Sequence, residues 1–203
     1  MTPRPARLAG WIVPTLCPGA AFAHAPVPGI KGFYIGLLHP FSTPAQALLM
    51  LGVGLLAGSF ALERAKAPIA AFVGLSLVGL FAGSAEWVLD PAMYGIAVIA
   101  CTHAALAPGR GVPLAALVLG VGGLVIGAAS IPDAGPARDR AFTMTGSLFG
   151  AGMGLLYIAG LSAIVKERFA APVVQIGFRV LAAWTGAIAL VMLALLYAQP
   201  PAP

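Results

Sequence analysis

Long apolar stretches recur along this chain with almost nothing charged inside them, and that pattern leaves few folds open. The runs at residues 44–62, 67–85, 92–107, 112–130, 141–165 and 172–197 lie at or near the roughly 20 helical residues needed to cross a hydrocarbon core. Within lipid, backbone N–H and C=O groups must be paired inside the protein, so isolated apolar runs of this length become helices. Only 8% of the 203 residues are charged and 60% are hydrophobic, with a mean hydropathy of +0.98. A soluble domain carries roughly 25% charged residues, and a water-facing surface cannot be assembled from so few. The expected fold is all-α: a polytopic transmembrane bundle of about six helices over residues 44–203, with the lipid bilayer as its main partner.

The 11 Lys and Arg against 6 Asp and Glu give a net charge of +5. Nucleic-acid binding needs such bases gathered into a patch or stripe, whereas here they are scattered in short connectors, so no nucleic-acid partner is expected. Basic residues in short connectors are held on the cytoplasmic side of a membrane. Arg64, Lys66, Arg110, Lys166 and Arg168 alternate onto one side together with Arg4 and Arg7. The other side has Lys31, Arg138 and Arg140, with Asp133 and Asp139 beside the last two. This imbalance places the 64–66, 108–111 and 166–168 connectors in the cytoplasm of a bacterial inner membrane, and the mature N-terminus and C-terminal tail in the periplasm.

Residues 1–23 read as a signal peptide: Arg4 and Arg7, an apolar run from Leu8 to Cys17, then Ala21-Phe22-Ala23, which has the small-x-small form of a cleavage site. Pro14 and Pro18 interrupt the apolar run, and an uncleaved signal anchor is the alternative. Cleavage would make His24 the first residue, offering a metal both an amine and an imidazole. Residues 24–43, with Pro26, Pro28 and Pro40, form a periplasmic or re-entrant segment carrying a His-Pro motif. Further along, Gly54-x-x-x-Gly58, Gly123-x-x-x-Gly127 and Gly146-x-x-x-Gly150 place small residues four apart, the spacing that lets helix backbones approach in lipid.

Polar side chains at membrane depth are functional candidates by default. His39 precedes Pro40, where helix hydrogen bonding is interrupted and a side chain can face a cavity. Cys101 and His103 are two residues apart, whereas helical neighbours are three or four apart, so they do not form a shared metal site. Arg179 lies two turns into the last run, where its long stem can snorkel to the interface or its head can meet an ion-pair partner or substrate. Met50, Met93, Met144, Met153 and Met192 offer soft thioethers but equally serve as adaptable core filler. Cys17 and Cys101 fall in separate apolar runs and suggest no disulfide framework. A haem would need paired histidines, and His39 and His103 fall on opposite sides of the membrane. With no phosphate loop, no nucleophile beside a base and no close pair of intramembrane carboxylates, enzymatic chemistry is not expected.

The run from Gly32 to Gly54, Gly-Phe-Tyr-Ile-Gly-Leu-Leu-His-Pro-Phe-Ser-Thr-Pro-Ala-Gln-Ala-Leu-Leu-Met-Leu-Gly-Val-Gly, resembles the opening signature of the HupE/UreJ family of bacterial membrane proteins, G-F-x-x-G-x-x-H-P-x-x-G-x-D-H-L-L-A-M-x-x-V-G. Leu155-Leu156-Tyr157-Ile158-Ala159-Gly160 resembles a later family element of the form L-L-H-x-x-G. The resemblance implies an accessory or transport role around nickel or cobalt, with family histidines and acids as ligands. Carried over residue by residue, His39 is kept, while the Asp-His pair falls on Ala45 and Gln46. The histidines of an H-G-x-x-H-G-x-E element fall on Gly123 and Gly127 with its acid at Ser130, and the last histidine falls on Tyr157. Most presumed ligands are thus substituted. The resemblance implies a transporter of a transition-metal ion or another small solute through a degenerate site. His24 and His39 would be the metal contacts, and Gln46, Cys101, His103, Tyr157 and Arg179 the candidates for a substrate path. The alternative is a non-transporting scaffold or accessory subunit, associated with a membrane-protein partner or with its own copies.

Overall fold

A computed structural model describes residues 32–198; His24, the signal-peptide segment and the tail after Ala198 lie outside the described residues. Seven α-helices follow one another: α1 (Phe33–Leu38), α2 (Pro44–Ala57), α3 (Leu62–Ala82), α4 (Asp90–Leu106), α5 (Val112–Ala129), α6 (Ala137–Arg168) and α7 (Pro172–Ala198). A 3-10 turn, His39–Phe41, joins α1 to α2, and no strand occurs among the described residues. Prolines stand in the first turn of α2, α4 and α5, where the missing N–H has no intrahelical partner to lose. The tight connector before α5 depends on Gly109 and Gly111, with φ of 69° and 65°, a left-handed conformation that glycine alone adopts without strain.

Four helices are long and apolar enough to cross a membrane, α3, α5, α6 and α7, and α1 with α2 makes a fifth if the pair, bent by 74° at the 3-10 turn, counts as one broken span. The sequence suggested about six. The difference lies in α4, whose 17 residues reach about 26 Å at 1.5 Å per residue, short of the roughly 30 Å hydrocarbon core. The expected periplasmic or re-entrant segment at 24–43 proves to contain α1, which packs along the first half of α6. The boundaries also differ where charges were read as connectors: α3 begins at Leu62 and takes Arg64 and Lys66 into its first turns, and α6 begins at Ala137 and includes Arg138, Asp139 and Arg140.

The bundle pairs α3 with α5, sets α4 between α2 and α7, and lays α1 on α6. Glycine decides two of these contacts. A Cβ at Gly123 or Gly127 would run into the backbone carbonyls of Phe72 and Ser76 on α3, and one at Gly146 or Gly150 into those of Phe33 and Leu37 on α1. Close backbone approach of this kind gives van der Waals contact where lipid supplies no hydrophobic drive between helices. Around these seams Phe72, Leu49, Met50, Leu56, Met93, Leu119 and Leu155 are fully buried.

Alternate connectors gather at the same end of the bundle. The amide of Gly109 donates to Ser59 Oγ at 3.2 Å, and Lys166 Nζ donates to the carbonyl of Gly58 at 2.7 Å. These bonds bring together the loops following α2, α4 and α6. At the other end Gly83 lies against Ala128, beside the break between α1 and α2.

Candidate functional site

The break between α1 and α2 is where the sequence placed its strongest polar candidate. Pro40 cannot donate a backbone hydrogen bond, the chain tightens into a 3-10 turn, and α2 restarts with Thr43 as N-cap, its hydroxyl accepting from the Gln46 amide at 3.3 Å. His39 is thereby held at the hinge and reaches across to α5, where its Nε2 lies 2.9 Å from the carbonyl oxygen of Ala129. One helical turn into α2, the buried Gln46 brings its amide nitrogen to 3.1 Å from the same Nε2. A single ring nitrogen cannot donate to Ala129 and accept from Gln46 at once. The junction therefore has two hydrogen-bonding states, set by which ring nitrogen carries the proton.

Gln46 contributes a second feature. Its Oε1 is buried and has no hydrogen-bond partner among the described residues, and an acceptor left so costs about 1–3 kcal/mol. The arrangement leaves an unpaired acceptor buried near an imidazole, which an N–H, an O–H or a positive charge would satisfy only by entering the interior.

The remaining candidates do not converge on this point. Cys101 is fully buried, its sulfur facing Gly52 of α2 and its Cβ facing Gly186 of α7. His103 turns the other way, with Nε2 2.9 Å from the Arg110 carbonyl and its ring edge-on to Phe60. Ala129 and Arg110 flank α5 at opposite ends, so His39 and His103 are separated by about the 27 Å length of an 18-residue helix. Tyr157 is 70% exposed on α6. Arg179 donates from Nε to the Ala105 carbonyl at 2.6 Å, at the end of the bundle remote from His39. Among the described residues, no three His, Cys, Asp or Glu side chains gather closely enough to hold a metal ion.

The sequence profile of the HupE / UreJ protein family matches residues 12–195. The chain belongs to the HupE / UreJ family. No curated protein and no solved structure matches it. In this HupE / UreJ protein the positions singled out by resemblance separate into three groups. His39, Ala45, Gln46 and the segment Ala129–Ser130 meet at the α1–α2 break, with Ser130 buried and its hydroxyl donating to Ile126 at 2.7 Å. Gly123 and Gly127 face α3 at backbone contact, which leaves no volume there for an imidazole. Tyr157 points away from both. Sequence reasoning did not anticipate Ala129, whose contribution is a backbone carbonyl and so carries no side-chain signal, nor the role of Lys166, which reads in sequence as a topology charge.

Proposed function

We propose that this HupE / UreJ protein is a transport-type protein of the bacterial inner membrane, passing a nickel- or cobalt-type ion or another small solute by way of the His39–Gln46 junction. The observation that carries the reading is Gln46 Oε1, a buried acceptor without a partner among the described residues, near an imidazole and at the helix pair that is sharply bent among them. Imidazole nitrogen is a donor that suits such ions, while an amide oxygen suits harder cations and would hold these weakly; a strong and a weak donor together let an ion leave again, as passage requires. On this reading α4 completes a six-span bundle with the broken α1–α2 pair. The loops after α2, α4 and α6 face the cytoplasm, since Arg64, Lys66, Arg110, Lys166 and Arg168 cluster there. Residues 1–23 are a signal peptide, His24 begins the mature chain as a further donor, and the protein has no catalytic chemistry of its own.

The test is metal uptake and cell-associated metal across nickel, cobalt, copper and zinc, with His39→Ala, Gln46→Leu and His24→Ala beside the wild type. Uptake of one metal that drops at least several-fold in the first two variants, at unchanged protein level, is the expected result. Uptake that no metal shows, or that neither variant alters, would overturn it. One observation favours a second reading, a scaffold or accessory subunit: the glycine seam between α3 and α5 occupies the space where family ligands would stand. Its expected signature is absence of metal dependence together with a stoichiometric membrane partner on purification.

A further inference from the structure

At the end of the bundle remote from His39, a cavity of about 400 Å³ opens between the C-terminal part of α6, the start of α7 and the loops after α2 and α4. Lys166 and Arg179 both line it, with Ser59, Gln175 and Phe178. Lys166 Nζ sits 4.7 Å from the centre of the Phe178 ring and spends one hydrogen on the Gly58 carbonyl, while Arg179 spends its Nε hydrogen on Ala105. An ammonium has three donors and a guanidinium five, so most of the donor capacity of both heads remains. Among the described residues no acidic side chain lines the cavity, and the ion pair found among them is the surface pair Lys66–Glu63. The carbonyls that Lys166 and Arg179 meet supply partial charge and no counterion. Two cations converge on one partly enclosed space, with no anionic side chain among the described residues that line it.

The cavity continues into an apolar groove. Arg179 and Ile176 line both the cavity and a shallow cleft bounded by Leu106 and Ala183. That cleft runs on between α4 and α7 past Thr102, Gly186 and Leu190. A basic head followed by a long apolar channel along two helices matches a molecule with a phosphate at one end and a hydrocarbon chain at the other. Basic pockets between membrane helices are known to receive anionic lipid head groups. Phosphate oxygens suit both a guanidinium and an ammonium. We infer that the Lys166–Arg179 cavity binds the phosphate of an anionic phospholipid, one acyl chain of which lies in the α4–α7 groove. This site is separate from the His39–Gln46 junction and does not depend on the transport reading.

The experiment uses the full chain purified in mild detergent and measures lipid retention by native mass spectrometry. Phosphatidylglycerol is compared with phosphatidylcholine, and inorganic phosphate is titrated in a separate arm as competitor. The expected result is retention of phosphatidylglycerol at least ten-fold above phosphatidylcholine, lost in Lys166→Gln/Arg179→Gln and largely kept in Arg179→Lys, with inorganic phosphate displacing it only at high concentration. Equal retention of the two lipids, or retention unchanged in the double variant, would overturn the inference. So would tight inorganic phosphate binding with no lipid preference, which would make the cavity a site for a free anion. If the double variant does not fold, the comparison of the two lipids on the wild type decides alone.

Discussion

Where α1 breaks into α2, the polar atoms are few and meet at His39 Nε2, with Gln46 Oε1 left without a partner among the described residues; where α6 gives way to α7, two basic side chains, Lys166 and Arg179, line a cavity. The first end is assembled by backbone contact, with Ala129 and Ser130 held close to His39 and Gln46. The second is assembled by loops, through the Ser59–Gly109 and Lys166–Gly58 bonds. A junction of one imidazole and one amide is suited, on the transport proposal, to a guest that must leave again. A pair of basic side chains, Lys166 partly buried and Arg179 exposed, is suited on the lipid proposal to an anionic guest that stays. On the two proposals the bundle would bind differently at its two ends, and the difference comes from charge, since His39 and Gln46 make one site and Lys166 and Arg179 line the other.

The largest test of this contrast lies in the seam behind the His39 end. Gly127→Leu forces a side chain into the Ser76 backbone and is expected to destabilise the protein by about 3 kcal/mol, the upper end of the usual cost of overpacking, read as a lower thermal midpoint in detergent. Gly152→Leu, where nothing lies within 4 Å, should melt with the wild type. Equal melting of both variants would show that α5 does not rest on α3 as described.

His39→Ala removes the link from the hinge to Ala129 and should cost about 1–2 kcal/mol, since it also leaves the Gln46 amide short of a partner. The same thermal assay reads it, and a cost near zero would mean that the hinge is held by Pro40 and packing alone. Gln46→Leu is expected to fall within about 1 kcal/mol of wild type or slightly above it, because a buried unpartnered acceptor is removed along with one hydrogen bond. Its value is in the pairing of readouts: stability held while uptake falls marks Gln46 as a contact for the guest, whereas both falling together marks it as structural.

The smallest effect belongs to the basic end. Glu63→Gln breaks the 2.6 Å pair with Lys66, but both side chains are largely exposed, and such pairs contribute about 0.5 kcal/mol or less. A midpoint shift of several degrees would mean that the loop end is more rigid than its exposed charges suggest.

Much of the helical layout was legible because its signals are local. Gly111 and Pro113 mark the start of α5, and Pro172 that of α7, so the expected 112–130 and 172–197 agree closely with Val112–Ala129 and Pro172–Ala198. The start of α3 was not legible, because Pro68 and the charges of Arg64 and Lys66 look like a connector, whereas Pro68 is buried inside the helix. α6 was underestimated for a related reason: Arg138 and Arg140 continue a helix past the apolar run that defines its span. His39 was singled out by its proline neighbour. Its partner is a carbonyl 90 residues away, and no side-chain pattern encodes that. The Lys166–Arg179 cavity was equally hidden, since it exists only once α7 has packed on α4.

The glycine seam between α3 and α5 also governs what mutation can reach. A histidine at position 123 or 127 would meet a backbone carbonyl of α3 before it met any ligand, so its cost falls on packing ahead of any gain in metal binding. Separating α3 from α5 first would sacrifice the contact that holds the pair together. The order of events is therefore fixed by geometry: a variant with room for imidazole between α3 and α5 must rebuild its packing before it can build metal chemistry there.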